Sequence, residues 1–321
     1  MGISTLIIGL GQIGMGYDLK LDPDQYVYSH ARAFSLHPDF ELVGGVDQNA
    51  NQRLVFESTY LCPSFGSLED ALIQTSAQCV VIATPTQFHC EILFKIIELS
   101  QPRIILCEKP LSYDLKESQT MIEACESKGI QLYVNYMRIS EPGVNEVKRR
   151  LQANEIMQPL RGIVWYSKGF LHNGSHFFNL IEYWLGSVID SHLIQPGRDF
   201  PEGDAEPDVQ VRFEFGDVVF MAVQEGNFSH YAVELVAQNG RLRYENGGRR
   251  IVWQPATRSE DIKGYIFISE HTELVPSELN RYQWYVVEEL SKSLNGKEVA
   301  LCSGKQALHT LEHMQLILGK R

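Results

Sequence analysis

The chain has 321 residues, with 28 Lys+Arg against 40 Asp+Glu and a formal charge of −12. At ~150 residues per domain this length predicts two domains, and 44% hydrophobic with 21% charged residues excludes wholesale disorder. The acidic balance excludes a general binder of nucleic acid or of anionic membranes, which needs a net or clustered positive surface.

The first apolar run, Ile3–Ile8, has no basic region before it and enters glycines, so it reads as a strand and not a signal peptide. Gly9-Leu10-Gly11-Gln12-Ile13-Gly14 follows it in the pattern G-x-G-x-x-G. Gly9 makes the tight turn, Gly11 lets backbone approach a diphosphate, and Gly14 permits close helix–strand packing, with Gln12 and Ile13 completing the cradle. The diphosphate is expected at the N-terminus of the helix that follows. The next strand, Glu41–Val46, ends in Asp47, whose carboxylate suits ribose hydroxyls and repels a 2′-phosphate. NAD is therefore favoured over NADP, and the first basic residue after Asp47 is Arg53. Asp47 lies beyond the ~20 residues usual after the last glycine. The surplus of roughly 13 residues fits within Tyr17–Ser29, which is read as a substrate-contacting lid or a solvated loop.

Strand-length apolar runs recur at Cys79–Ala83, Ile104–Cys107 and Gln131–Asn135, and helical spacing at Glu91–Leu99 and Leu115–Lys128. This alternation predicts a doubly wound parallel sheet, a Rossmann domain over residues 1–136. From residue 137 to 321 the rhythm becomes α+β. Helical patterns at Gly143–Gln152 and His176–Leu185 are followed by alternating segments between turn signals, from Val188–Ile194 to Tyr265–Ser269. An antiparallel meander is the expected form, closed by helices at Ser277–Ser293 and Gly304–Leu318. The 6 cysteines are scattered without C-x-x-C spacing and read as buried thiols of a reducing compartment. No apolar run reaches the ~18–20 residues of a membrane span, so a cytoplasmic location is expected.

Ala83-Thr84-Pro85-Thr86-Gln87-Phe88-His89 follows the strand at 79–83, Glu108-Lys109-Pro110 follows the strand at 104–107, and Gly174-Ser175-His176 opens a helix of the second domain. With the glycine fingerprint, this set resembles the Gfo/Idh/MocA oxidoreductases along essentially the whole chain. The resemblance implies an open-faced, mainly antiparallel sheet domain that mediates homo-oligomerisation as a dimer or tetramer. It also implies hydride transfer between nicotinamide and a hydroxyl-bearing carbon of a sugar, sugar acid or nucleotide sugar. Thr84 and Pro85 would line the nicotinamide ribose, with His89 and Glu108 also on the cofactor. Lys109 would reach cofactor and substrate, and His176 would be the acid/base.

Elementary chemistry agrees with these roles. Lys109 directly follows an apolar strand, at the edge where doubly wound sheets bind ligands, and an ammonium there stabilises alkoxide charge. A histidine at a helix N-terminus is disfavoured as imidazolium, which suits a base. The chain departs from the family at two positions, where His172 and Asn179 replace the aspartates that usually precede and follow the histidine. Asn179 is expected to orient His176, His172 to act as a second acid/base or to bind an anionic group, and Arg138 to bind a substrate carboxylate or phosphate. This variant also resembles relatives associated with surface-polysaccharide and nonulosonic-acid sugars. No metal site is expected: Gly174 breaks the helix that would align His172 with His176, and His309 and His313 lack an evident third ligand. The alternatives are an NAD-using glycosidase that recycles its cofactor and a redox-silent dinucleotide-binding regulator.

Overall fold

The computed structural model describes residues 2–200 and 203–319. The chain begins with β1 (Ile3–Ile8), α1 (His30–Leu36), β2 (Phe40–Val46), α2 (Ala50–Tyr60), β3 (Ser64–Phe65), α3 (Leu68–Thr75), β4 (Cys79–Ile82), α4 (His89–Leu99), β5 (Ile104–Cys107), α5 (Leu115–Ser127) and β6 (Gln131–Val134). There follow α6 (Pro142–Gln152), β7 (Leu160–Tyr166), α7 (Ser175–Leu185), β8 (Val188–Phe200), β9 (Asp204–Phe213), β10 (Gly216–Ala222), β11 (Ala232–Ala237), β12 (Gly240–Glu245), β13 (Arg250–Arg258), β14 (Ile266–Ile268) and β15 (Glu273–Val275). The last elements are α8 (Tyr282–Leu294), β16 (Cys302–Ser303) and α9 (Gly304–Ile317).

These elements form two units. The first comprises the described residues to Ser140 together with Asn280–His309, and the second Glu141–Leu279 with the end of α9 from Thr310. A single division after residue 136 therefore misses the return of 280–309 to the first unit. The reason is apolar: Val286, Val287 and Leu290 of α8 share one core with Ile7, Leu10 and Phe34. None of the helices in the described residues is long and apolar enough to cross a membrane.

In the first unit the sheet order is β16-β6-β5-β4-β1-β2-β3, parallel except for β16. Strands β4 and β5 are buried along their whole length, as their continuous apolar runs require. Asn49, Ser67 and Asp114 start α2, α3 and α5 by accepting a backbone N–H, the usual answer to unpaired donors at a helix start. Because β1 lies between β2 and β4, the loops after β1 and β4 leave the carboxyl edge in different directions and open a crevice.

The surplus segment has an unexpected placement. After Gly14 the chain makes one helical turn, in which Met15 N–H donates to Gly11 O at 2.9 Å, and then leaves the helix. It returns at α1, where His30 N–H donates to Ile13 O (3.0 Å) and Ala31 N–H to Gly14 O (2.9 Å). Residues 17–29 are thus an excursion out of one helix whose hydrogen-bond ladder closes across the gap. The excursion is not a free flap. Asp18 is fully buried and accepts from Tyr28 N–H (2.6 Å), Ser29 N–H (2.8 Å) and Ser29 Oγ (2.6 Å), with Arg32 at 3.7 Å. Val27 N–H donates to Asn280 O (2.9 Å), and the Tyr28 ring stacks on Tyr282 at 5.3 Å. Its exposed residues are Tyr17 and the tip, residues 20–25.

In the second unit the order is β14-β13-β12-β11-β7-β10-β9-β8, with β15 added beside β13. It is not a pure meander, because β10 runs parallel to β7 while its other neighbour β9 is antiparallel. Burial alternates along β10 and β12, so one face is covered and the other is half exposed. The covered face receives α7, with Phe178 stacked on Phe220 at 5.4 Å and Trp184 edge-on to Tyr244 at 5.8 Å. Cys62, Cys79, Cys107, Cys125 and Cys302 are buried, and burial pushes the Cys79 thiol up to about 12.

Removing the Asp18 carboxylate leaves Tyr28 and Ser29 amides and Arg32 without their buried acceptor. Asp18→Ala is expected to lower the free energy of unfolding by about 3–5 kcal/mol in urea titration. A loss below about 1 kcal/mol would show that the excursion is held by its tyrosines instead.

Candidate cofactor and substrate site

The phosphate loop follows directly from what each glycine permits. Gly9 has φ +96°, and a Cβ there would lie 2.6 Å from Ala83 O. A Cβ on Gly14 would overlap the Gly9 carbonyl oxygen. Gly11 is different: it is exposed, and a Cβ on it would meet nothing within 4 Å. Space is thus kept open at the one glycine assigned to backbone approach.

Asp47 is oriented by the same loop. Leu10 N–H donates to Oδ2 at 2.9 Å and Asn49 N–H to Oδ1 at 2.8 Å. Arg53, the first basic residue after Asp47, folds back through the first turn of α2. Its Nη1 donates to the carbonyls of Asp47 (2.8 Å) and Gln48 (3.0 Å).

The carboxyl edges of β4, β5 and β6 carry the next group. Glu108 Oε1 is 2.7 Å from His30 Nε2 and accepts from Asn135 Nδ2 at 2.7 Å. Burial pushes the Glu108 carboxyl up, but the His30 and Asn135 hydrogen bonds, with the charges of His30 and Lys109, outweigh it and hold the group below the usual carboxylate range. The Glu108 side chain is therefore ionised beside Lys109, which is half-buried. His30 and Asn135 were missed in the sequence. Asn135 was legible in principle as the residue just after β6, whereas His30 was hidden by the excursion.

Among the described residues, His30 Nδ1, Thr84 Oγ1 and Asn135 Oδ1 are buried polar atoms without a protein partner. Orphaned donors and acceptors at the ends of these strands fit a ligand rich in hydroxyl and amide groups, as NAD is at its nicotinamide end. Gly9–Gly14, Asp47, Thr84 and Pro85 would hold it.

His89 requires a correction. It is fully buried, with Nδ1 3.1 Å from Pro110 O and 3.2 Å from Leu111 O, and Nε2 2.9 Å from Thr84 O. With both ring nitrogens against main-chain carbonyls it does not bind cofactor. It ties the loop after β4 to the loop carrying Lys109. Arg138 is also buried, in the turn Met137–Ser140, with Nη1 3.9 Å from Met137 Sδ.

In the second unit, Gly169–Gly174 form a π-helical turn that runs without a break into α7. His172 is exposed and His176 half-buried. Two sequence expectations change here. Gly174 does not interrupt the helical path, and His176 does not stand at a bare helix N-terminus, since the rotation begins at Gly169. Asn179, one turn after His176, is buried with Nδ2 directed at Thr310 Oγ1 (3.4 Å). Its amide nitrogen thus faces α9. On α9, His309 is exposed and His313 half-buried.

The glycines separate binding from folding. Gly11→Ala is expected to weaken NAD binding at least about tenfold with an unchanged melting temperature, whereas Gly14→Ala lowers the melting temperature itself. Fluorescence titration and thermal unfolding of both variants check this. Unaltered NAD affinity in Gly11→Ala would displace the diphosphate from this loop.

Comparison with known proteins places this geometry. Residues 3–136 match the Gfo/Idh/MocA family model, described as an oxidoreductase family with an NAD-binding Rossmann fold. The chain is 30% identical over 141 residues to scyllo-inositol 2-dehydrogenase (NAD(+)) of Bacillus subtilis, covering 38% of this chain and 39% of that one. It is 27% identical over 225 residues to inositol 2-dehydrogenase of Corynebacterium glutamicum, covering 65% of each. The matches thus span less than two thirds of these relatives. The fold is also that of the WlbA dehydrogenase of Bordetella pertussis, solved with NADH and UDP-GlcNAcA, at TM-score 0.73, 18% identity and coverage of 100% and 96%. With the phosphate loop, Asp47 and the orphaned atoms of His30, Thr84 and Asn135, the family-model match identifies residues 3–136 as an NAD-binding Rossmann domain of the Gfo/Idh/MocA oxidoreductase type.

Proposed function

We propose that this protein is an NAD-dependent dehydrogenase or reductase acting on a CH–OH group of a sugar, sugar acid or nucleotide sugar. The observation that carries this reading is the ionised Glu108, pinned by His30 and Asn135, directly before Lys109 at the carboxyl edge of the sheet. An anion fixed there attracts the neighbouring ammonium. The similarity to inositol dehydrogenases and to a nucleotide-sugar complex supports the substrate class.

Bound NAD supplies the hydride acceptor or donor. Lys109 polarises the substrate oxygen and stabilises the negative charge that grows on it as the C–H bond breaks. His176 takes the hydroxyl proton in oxidation and returns it in reduction. His89 positions the Lys109 loop, and His172 and Arg138 are assigned to an anionic group of the substrate. A homo-oligomer formed through the half-exposed face of the second unit's sheet completes the proposal.

Lys109→Ala and His176→Ala are each expected to lower kcat by about 100-fold or more, with NAD affinity nearly unchanged. The assay follows absorbance at 340 nm with NAD and a panel of sugars, uronic acids, nonulosonic acids and nucleotide sugars. Wild-type turnover in either variant removes that residue from the mechanism. No NADH from wild-type protein shown to bind NAD would overturn net dehydrogenation of this panel.

A further inference from the structure

The entry into α7 rests on two of three neighbouring carboxylates that the sequence did not single out. Asp204, Glu206 and Asp208 alternate along β9 and so share one face of the sheet. They are 9%, 0% and 5% exposed. Burying charge on this scale is prohibitive unless each oxygen has donors. Asp208 finds them within the sheet, from Ala222 N–H (2.9 Å) and the Gln195 side chain. The other two take theirs from the start of the π turn. Glu206 Oε1 accepts from Lys168 N–H (2.6 Å) and Gly169 N–H (3.2 Å), while its Oε2 accepts from Arg198 Nε (2.6 Å). Asp204 accepts from Leu171 N–H (2.9 Å) through Oδ1 and from His172 N–H (2.8 Å) through Oδ2.

The backbone they hold is not relaxed. Lys168 has φ 64° and Gly169 φ 89°, the left-handed region that a lysine enters only at a cost. A Cβ on Gly169 would overlap Asp204 Oδ2, so glycine is required for the carboxylate to sit where it does. The caught amides are the positive end of the helical element that carries His172 and His176, where an anion would otherwise bind.

We infer that Asp204 and Glu206 are positioning residues: they latch the π turn and thereby fix His172 and His176. They also fill the helix's anion-binding end with the protein's own carboxylates, so a substrate phosphate or carboxylate is received elsewhere. The kinetic part of this inference rests on the acid/base reading of His176; the latch itself does not.

The test compares Asp204→Asn, Glu206→Gln, Gly169→Ala and the double variant Gly169→Ala/Asp204→Asn with wild type. Amide hydrogen exchange over 168–172 reads the latch, and steady-state kinetics with NAD titration reads its consequence. Each single change is expected to speed exchange at these amides and lower kcat about 10- to 100-fold, leaving NAD affinity close to wild type. The double variant should be no worse than its weaker parent, because both changes break the same contact. Wild-type exchange in folded Asp204→Asn or Glu206→Gln overturns the latch. Fast exchange with wild-type kcat overturns the positioning role. A defect in NAD affinity equal to that in kcat would mark general loss of structure and also overturn it. If His176→Ala alone keeps wild-type turnover, the acid/base reading fails, whatever the exchange data show.

Discussion

A carboxylate inside a protein persists only where hydrogen-bond donors surround it, and the loops of this molecule are organised by that requirement. Asp18 gathers the two ends of the excursion, Glu108 gathers His30 and Asn135, and Asp204 with Glu206 gathers the turn before α7. Glu141 belongs to the same set: it caps α6 through Val144 N–H (2.9 Å) and receives Glu278 N–H (2.6 Å) from the far end of its unit. In each case a loop that could wander is fixed because an acid cannot be left unsatisfied.

The constraint acts most sharply at the carboxyl edge of the first sheet. Parallel strands bring Thr84, Glu108 and Asn135 to adjacent positions, since β4, β5 and β6 are neighbours in register. His30 arrives from the other side, carried by a helix whose first turn lies before the excursion and whose remainder lies after it. The excursion therefore lengthens the chain without lengthening the helix, and the spacing from Gly14 to Asp47 is restored in three dimensions. His89 joins the β4 and β5 loops by three contacts to main-chain oxygens. Lys109 thus projects from a loop held at Glu108 on one side and at Pro110 on the other.

In the second unit the carboxylate requirement changes how the helix terminus behaves. A bare helix N-terminus attracts anions and disfavours an adjacent imidazolium. Here Asp204 and Glu206 occupy that position, and His176 lies a turn further along. The electrostatics around His176 are those of a capped helical element, with the amides of Lys168, Gly169, Leu171 and His172 already taken. Asn179, three positions after His176, is buried with its amide nitrogen directed at Thr310 of α9.

The sequence by itself determined the alternation of strand and helix and the glycine loop with Asp47 at the end of the next strand. These depend on short-range rules: apolar period, glycine sterics and the residue that follows a strand. The tertiary structure decided what depends on partners distant in the chain. It returned α8 to the first unit, because the apolar stripe of Val286, Val287 and Leu290 found its core beside β1. It turned His89 from ligand into brace and Arg53 toward the Asp47 carbonyl. It also gave Glu108 and Asp204 their roles, since a carboxylate's function here is set by which donors burial brings to it, and no local pattern encodes those.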